Sequence, residues 1–411
     1  MQNNIALFVT YNGLLDQLGS SQILPYLKGI STHPRRVFVI SFEKKNFSNQ
    51  VIENLSSNLE DIDIHWIPMR FSDNSLGKAL DLLKMLYMVA KTIYKYNIKI
   101  VHCRSYLPTI IGCFLKLIFK HKVIFDMRGF WFDDRRDSGQ WNYDNRIGRA
   151  AYYFVKRIEL KIVRSSDFIV VLTESASTIV KTMISPSVPN NIYIIPCCAD
   201  FCHFLPLSEE KKLRSKKLLG IPGDAMVLSY LGSLGGLYLF DRMISFFIEV
   251  CKFNKNAYFL IITRDWSEDS EREISKLDIE WLRSKLLVRP ASRSEVPLVL
   301  GVSDVMLSFY SKGFSRSGTS PTKFAESVAM GIPVISSSKV GDIDTLTKEL
   351  SAGIVVDLDN EFELIKAAKS LDSIISFGDG LRDRSYNSLD LSIAEELYKE
   401  LYSDIDKLLW K

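Results

Sequence analysis

The sequence is poor in cysteine: its 411 residues include only six, which is too few for a disulfide framework. No apolar run reaches the ~18 residues of a transmembrane helix, and the first ten residues lack the basic segment and apolar core of a signal peptide. Basic residues number 52 against 48 acidic ones, a bias too weak to indicate nucleic acid. We therefore expect a cytoplasmic protein of two or three domains that binds no nucleic acid.

Two common ligand-binding motifs are also missing. Neither half of the chain carries G-x-G-x-x-G after its first predicted strand, which disfavours a nicotinamide-dependent dehydrogenase. The group Cys197, Cys198, Cys202 and His203 lacks the two separated ligand pairs that are typical of zinc sites, so we interpret these cysteines as structural. No Asp-x-Asp element stands in a metal-binding context, and the sequence predicts neither a metal nor a cofactor.

Short apolar segments alternate with longer helical patterns along the whole chain. One series of strand-like segments ends near Leu172, and a second begins at Met226. Such alternation is typical of parallel sheets covered by helices on both faces. A charged stretch and a Gly/Pro-rich turn over 208–224 separate the two series. The sequence therefore predicts an α/β protein with two doubly wound domains, residues 1–205 and 206–392.

The most informative feature is the predicted start of a helix near Pro321. Ser320 suits the N-cap of this helix and Pro321 its first position. Thr322 and Lys323 then fall in the first turn, where unpaired N–H groups and the helix dipole favour an anion. Glu326 follows one turn later on the same face and can accept hydrogen bonds from two ribose hydroxyls. This spacing indicates a nucleotide site; a capped core helix is the alternative.

These residues resemble a known family. The pattern Pro-Thr-Lys-x-x-Glu-x-x-Ala-x-Gly-x-Pro-Val, which begins at Pro321, is similar to the donor-site helix of GT-B glycosyltransferases of family 4. Other segments resemble the bacterial polysaccharide-biosynthesis branch of that family and occur in the same order: 11–25, 125–131, 171–174, 195–200 and 232–235.

The resemblance implies a GT-B fold, in which two Rossmann-like domains face each other across a cleft and a helix over 393–411 returns to the N-terminal domain. It also implies transfer of a sugar from a nucleotide-sugar donor to a growing bacterial surface glycan or a lipid-linked oligosaccharide. Transfer would retain the anomeric configuration and need no metal. A GT-B sugar-nucleotide epimerase and a non-catalytic partner that binds a glycan or a nucleotide sugar are the alternatives.

Site residues follow from the same resemblance. Glu326 would bind the ribose. The other donor-side candidates are Ser233, Leu234, Gly235, Ser320, Thr322 and Lys323. The loop over 13–20 would approach the transferred sugar and the acceptor, and its candidates are Gly13, Gly19 and Ser20.

The sequence departs from the family pattern at two places. The family often has a glutamate eight positions before the ribose carboxylate, where Gly318 stands here, and residues 232–238 lack the usual arginine and lysine. A diphosphate leaving group still requires positive charge. We expect Lys323 to supply it with help from Lys312 or Arg316. Arg264 is a further candidate, and solvated surface charge is the alternative for Arg264 and Arg316.

Polar side chains also follow two strands of the N-terminal domain, at the edge where open α/β sheets bind ligands. Arg128 is predicted to hold an acceptor phosphate or a donor carboxylate. Asp126 is interpreted either as catalytic or as a residue that orients Arg128. Asp16 and His102 are further catalytic candidates, and His102 is equally interpreted as a packed histidine bonded to the backbone.

Basic residues are concentrated in two helical segments of the N-terminal half. Residues 78–122 contain nine lysines and arginines and a single acid, and residues 146–164 contain six and a single acid. Leucines and aromatic residues lie between them. Such helices bind anionic membrane surfaces, which predicts a peripheral location on the cytoplasmic face of the inner membrane; the alternative is a solvated face above core helices.

Overall fold

The computed structural model of the protein describes residues 5–31, 35–44, 47–184, 191–277 and 279–409. The chain divides into two compact units. Residues 1–136, 141–196 and 392–411 form the first, and residues 137–140 and 197–391 form the second. Among the described residues, no helix is long and apolar enough to cross a membrane.

A parallel sheet forms the centre of the first unit. Its described strands are β1 (Ile5–Thr10), β2 (Arg36–Glu43), β3 (Ile64–Arg70), β4 (Ile100–Arg104), β5 (Lys122–Asp126), β6 (Phe168–Val171) and β7 (Ile192–Ile194). They lie in the order β3-β2-β1-β4-β5-β6-β7. The central strands are buried along almost their whole length, as continuous apolar runs covered on both faces require.

Helices cover this sheet. They are α1 (Gln17–Gln22), α2 (Leu24–Ile30), α3 (Asn49–Glu60), α4 (Ser75–Tyr96), α5 (Tyr106–Phe119), α6 (Trp131–Asp137), α7 (Arg146–Ser165) and α8 (Glu174–Met183). Local sequence sets several of their ends. The side chain of Asn74 accepts a hydrogen bond from the N–H of Gly77 at the start of α4, and Asn97 ends the same helix in a left-handed conformation.

The second unit has a parallel sheet of its own. Its described strands are β8 (Met226–Leu231), β9 (Ala257–Ile262), β10 (Leu286–Arg289), β11 (Val305–Ser308), β12 (Val334–Ser337) and β13 (Gly353–Val356), in the order β10-β9-β8-β11-β12-β13. Its helices are α9 (Glu209–Leu218), α10 (Phe240–Phe253), α11 (Glu268–Lys276), α12 (Leu282–Lys285), α13 (Val296–Leu300), α14 (Thr322–Ala329), α15 (Ile343–Glu349), α16 (Glu361–Lys369), α17 (Leu371–Ile375) and α18 (Leu381–Leu389). Short 3-10 turns lie at Phe314–Gly318 and Ser376–Gly378.

The C-terminal helix α19 (Leu391–Leu409) packs on the first unit, as the family resemblance predicted. The Tyr402 hydroxyl lies 3.0 Å from Nδ1 of His102. Tyr193 donates to Asp404 at 2.7 Å, and Arg35 forms a 2.5 Å ion pair with Asp406. The helix thus belongs to the first unit through side-chain contacts with residues far away in the sequence.

Two doubly wound α/β domains were predicted and are confirmed. Sequence analysis did not find β7, because its three residues are too few to show a periodic pattern. The unit boundary also falls earlier than residue 205. Ala199 is hydrogen-bonded to the backbone of Leu389 and Leu391, and Phe201 and Phe204 are buried in the core of the second unit, so residues 197–205 belong to that unit.

The order of strands reverses once in each sheet. In the first unit it reverses between β1 and β4, and in the second between β8 and β11. Open α/β sheets bind ligands beyond the carboxyl ends of the strands at such a point. The loops after these four strands are therefore the places where a site is expected.

Candidate active site

A glycine-rich turn follows β8 at the reversal point of the second unit. Gly232, Gly235 and Gly236 all have positive φ angles, of 134°, 77° and 62°, and only glycine adopts such angles at low cost. A Cβ atom added to Gly232 would lie 2.7 Å from Nζ of Lys323, whereas additions at Gly235 and Gly236 would meet open space. Because Gly232 has no side chain, the ammonium group of Lys323 can lie next to its backbone.

Lys323 lies in the first turn of α14 and is 8% exposed. Its ammonium group is 3.8 Å from the ring centroid of Tyr238 and 4.4 Å from that of Tyr230, and the ring of Tyr310 is 5.9 Å away. Nζ also donates to the Tyr230 hydroxyl at 3.4 Å. That hydroxyl donates in turn to the carbonyl oxygen of Ser233, so one chain of contacts joins the lysine to the glycine-rich turn.

Burial lowers the pKa of Lys323 from 10.5 to about 7, and the negative charge of Glu326 opposes the shift only in part. The change corresponds to a penalty on the order of 5 kcal/mol on the charged form. A cation–π contact at a desolvated site contributes about 2 kcal/mol or more, so the tyrosine rings offset part of the desolvation. Lys323 is thus a buried cation whose charge is compensated in part, and an anion would stabilise it further.

Glu326 lies one turn beyond Lys323 in α14, and it too is 8% exposed. Its Oε1 pairs with Nη1 of Arg293 at 3.3 Å. Burial raises the pKa of Glu326, while Arg293, Lys323 and His203 act against the rise. His203 Nε2 lies 3.0 Å from the Arg293 carbonyl oxygen. Since a carboxylate has about four acceptor positions, the ion pair leaves Glu326 able to accept further hydrogen bonds.

The start of α14 differs from the sequence prediction. The helix begins at Thr322 with Pro321 as its N-cap residue, and no side chain caps it. The predicted N-cap role of Ser320 is therefore wrong, because its hydroxyl instead accepts a hydrogen bond from the N–H of Cys197 at 3.0 Å. In the first turn, the Phe324 N–H donates to the carbonyl oxygen of Pro321 at 3.0 Å.

The remaining candidate cations of the second unit have partners elsewhere. Lys312 is half-exposed and lies 2.8 Å from Asp357 and 2.6 Å from Asp359. Arg316 is fully buried and donates to the Ser315 hydroxyl at 2.6 Å. Arg264 donates through Nε to the Ala291 carbonyl at 3.0 Å. None of these contacts joins them to Lys323 or Glu326.

In the first unit, a buried glutamate organises the loop that follows β1. Glu43, the last residue of β2, accepts hydrogen bonds from the N–H groups of Leu14 at 2.9 Å and Leu15 at 3.1 Å. A Cβ atom at Gly13 would lie 2.5 Å from its carboxylate, and one at Gly19 would lie 2.0 Å from the Gly13 carbonyl oxygen. Both glycines are therefore needed for the path of the loop.

Asp16 and Ser20 belong to the same loop and the start of α1. The Asp16 carboxylate accepts a hydrogen bond from the Gly13 N–H at 3.2 Å, and the Ser20 N–H donates to the Asp16 carbonyl at 2.9 Å. Asp16 thus stabilises the loop through contacts with residues on both sides of it in the chain.

A charged cluster lies at the carboxyl ends of β4 and β5. Asp126 is fully buried, with Oδ2 3.2 Å from Arg104 and Oδ1 3.6 Å from Arg128. Burial disfavours its ionised form, but Arg128, His102 and Arg104 together outweigh this effect and hold the pKa of Asp126 below its usual value. The cluster contains two guanidinium groups and one carboxylate, so it carries an excess of positive charge when His102 is neutral.

His102 is packed inside this cluster. It is fully buried, with Nε2 3.7 Å from Asp126 and its ring 4.7 Å from that of Phe8. Burial lowers the pKa of His102, although Asp126 opposes the shift. The interpretation as a packed histidine fits this position, with one difference: its hydrogen-bond partner is the side chain of Tyr402 rather than the backbone.

The three cysteines at 197, 198 and 202 of the second unit differ in their exposure. Cys197 and Cys198 are buried, and Cys202 is exposed; all are free thiols. Within the described part of the chain, no three His, Cys, Asp or Glu side chains are placed to hold a metal ion.

Sequence analysis missed several residues that the structure places around the candidates. They are Glu43, Tyr230, Tyr238, Arg293 and Tyr310. Tyr230, Arg293 and Tyr310 stand at or just beyond the carboxyl ends of strands, which is the signal that could have found them. Nothing in the local sequence indicates that Glu43 binds a loop 28 residues away.

No family model matches the chain, and no curated protein matches it. Solved structures do. A sucrose-phosphate synthase from Thermosynechococcus elongatus is 14% identical, with a TM-score of 0.68 over 99% of this chain and 100% of that one. HepE from Anabaena in complex with UDP and glucose is 11% identical, with a TM-score of 0.69 over 98% and 100%. The lipopolysaccharide outer core galactosyltransferase WaaB is 11% identical, with a TM-score of 0.65 over 98% and 99%.

At such low identity the likeness defines the fold. The two α/β units and these neighbours show that the chain has the GT-B fold, as predicted. WaaB is named a galactosyltransferase, but the assignment of a reaction to this chain rests on its own residues.

Proposed function

We propose that this chain is a GT-B glycosyltransferase of the family 4 type, which transfers a sugar from a nucleotide-sugar donor to a growing bacterial surface glycan or lipid-linked oligosaccharide. The observation that carries the proposal is the pair of buried, opposite charges at the start of α14. Lys323 and Glu326 are one helical turn apart, next to a turn whose glycines leave open space. This arrangement suits a diphosphate beside a ribose.

Lys323 would provide the positive charge for the diphosphate. Its ammonium group reaches the turn after β8, where the family resemblance expects charged residues that this sequence lacks. The N–H groups at the start of α14 and the backbone of 233–235 would complete the anion site. Lys312 and Arg316, the predicted helpers, have the other partners described above, so Lys323 would act without them.

Glu326 would accept hydrogen bonds from the ribose hydroxyls, and Arg293 favours its ionised form by opposing the rise in its pKa. The crystallised HepE neighbour contains UDP, which supports a uridine nucleotide as the first donor to test. In the first unit, Arg128 is the candidate to contact an anionic group of the acceptor or donor, and fully buried Asp126 would be a positioning residue that orients it. Gly13, Gly19 and Ser20 would shape the acceptor side.

A binding screen tests the donor assignment. Thermal unfolding is measured with UDP-, GDP-, dTDP- and CMP-sugars, because a ligand bound only by the folded state raises the midpoint by mass action. One of these nucleotide classes should raise the unfolding midpoint of the wild type. Lys323→Ala should abolish this rise. The control Lys366→Ala, at an exposed lysine of α16, should preserve it. No shift with any donor, or an unchanged shift for Lys323→Ala, would contradict the proposal.

The ribose contact is tested with the matching 2′-deoxy donor. Wild type should bind it more weakly than the ribose form, by about 1.5–3 kcal/mol for one hydrogen bond to a charged group. Glu326→Gln should reduce this difference. Equal discrimination by both proteins would remove Glu326 from the ribose site.

Turnover distinguishes the reaction classes. We expect the enzyme to release nucleotide only when a glycan or lipid-linked acceptor is present. The product should retain the anomeric configuration, and a chelator should not lower the rate. Interconversion of free UDP-sugars without release would assign an epimerase, and binding without any turnover would assign a non-catalytic partner.

A further inference from the structure

Three helices of the first unit form a continuous layer. Helix α4 packs beside α5, and α5 packs beside α7. Their inner faces are apolar and buried; Met85 and Val89 of α4 and Leu115 of α5, for example, belong to the core under the sheet. Stable packing on the sheet therefore accounts for the inner faces only.

The outer face of α4 is apolar as well. Leu76, Leu80, Leu83, Tyr87 and Tyr94 are between 49% and 81% exposed. Their spacing of three, four or seven residues places them in one stripe along the helix. A single exposed leucine needs no explanation, but an aligned stripe over the whole length of a helix does.

The neighbouring helices continue this face. Phe114, Leu117 and Ile118 of α5 are 53%, 79% and 61% exposed, and Ile147 and Phe154 of α7 are 82% and 63% exposed. Residues 114, 117 and 118 lie on one side of α5, and 147 and 154 are two turns apart on α7. We define the outer face of α4, α5 and α7 by these apolar side chains and those of α4.

Acidic charge is missing from this outer face. In the three helices, all of whose residues are described, the only acids are Asp81 and Glu159, and both are buried. Asp81 accepts hydrogen bonds from the backbone and hydroxyl of Ser72, and Glu159 accepts one from Tyr106. Basic residues are numerous and exposed on the same helices: Lys78, Lys84, Lys91, Lys95, Arg146, Arg157, Lys161 and Arg164.

We propose that the outer face of α4, α5 and α7 docks on an anionic lipid bilayer. Leucines and aromatic rings would enter the boundary between headgroups and acyl chains, and the flanking lysines and arginines would meet the anionic headgroups. Each basic residue near such a surface adds attraction that salt screens. Nucleic acid fits this face poorly, because its centre is aliphatic. The docking surface does not depend on which reaction the chain catalyses.

The test is co-sedimentation of the full chain with vesicles of phosphatidylcholine alone or mixed with phosphatidylglycerol. Binding should require phosphatidylglycerol and weaken as salt rises. The double variant Leu83→Glu/Tyr87→Glu should bind at least about tenfold more weakly, because it removes two exposed apolar side chains that the bilayer would bury. Lys91→Glu/Lys95→Glu should weaken binding and flatten its salt dependence. Phe362→Glu, at a residue of α16 that is 73% exposed, is the matched control and should bind as wild type does.

Because every substituted side chain is exposed, the variants should keep the wild-type circular dichroism and unfolding midpoint, which separates lost docking from lost folding. No binding to anionic vesicles, or equal binding by the double variant and the wild type, would overturn the proposal. So would a wild-type dimer in gel filtration that Leu83→Glu/Tyr87→Glu converts to monomer, because a second copy of the chain would then cover the face.

Discussion

The pKa of Lys323 makes a quantitative prediction about donor binding. With a pKa of about 7 in the free protein, roughly 90% of the molecules carry the charged lysine at pH 6 and about 1% at pH 9. An anionic diphosphate binds the charged form and raises its pKa by supplying the missing negative charge. The apparent affinity should therefore be constant below pH 7 and fall about tenfold per pH unit above it.

A nucleotide sugar is the right ligand for this measurement, since it lacks the terminal phosphate group that titrates near pH 6. Isothermal titration between pH 6 and 9 should show uptake of up to one proton per donor bound above pH 7. Each tenfold fall in affinity above pH 7 corresponds to a loss of about 1.4 kcal/mol of binding free energy. Lys323→Arg is the control, because its guanidinium stays charged over the whole range and the affinity should no longer fall.

An affinity that stays constant from pH 6 to 9 in wild type would refute the role of Lys323 as the diphosphate cation. The same fall in affinity for Lys323→Ala would also refute it, because the titrating group would then be another residue.

Three further predictions concern the surroundings of the site. Gly232→Ala should reduce donor affinity well beyond the effect of Gly236→Ala, since both positions have positive φ and only the first Cβ meets Lys323; donor-induced thermal shifts compare them. Glu43→Gln should lower the free energy of unfolding by about 1–3 kcal/mol, because the carboxylate that holds two loop N–H groups is lost, and an effect below 0.5 kcal/mol in urea unfolding would argue against it. Asp126→Asn should cost about 3–5 kcal/mol, because it removes the buried carboxylate that pairs with Arg104 and Arg128. As the pKa of Asp126 is lowered in the folded state, this difference is full above about pH 4 and should shrink as the pH falls below it; a difference that grows in acid would contradict the ion-pair assignment.

Sequence patterns predicted those parts of the fold that depend on local periodicity. The second series of strands was predicted to begin at Met226, which is the first residue of β8, because buried parallel strands are continuous apolar runs. The C-terminal helix and its location on the first unit followed from the family resemblance.

These sequence patterns could not predict contacts between residues that are far apart in the sequence. The sequence places Ser320 before a helix, which is the usual position for a cap, yet the bond to Cys197 depends on how residues 195–200 run past that helix. The three tyrosines near Lys323 come from two strand ends and one loop, and only the sheet order brings them together. Arg293 meets Glu326 for the same reason.

The most direct test of the proposed donor site is a crystal structure of the chain with its donor nucleotide sugar. We expect the diphosphate to lie against Nζ of Lys323 and the N–H groups that begin α14, with the ribose hydroxyls on Glu326. A nucleotide bound at another place, with Lys323 still enclosed by its tyrosines and Glu326 paired only with Arg293, would contradict it.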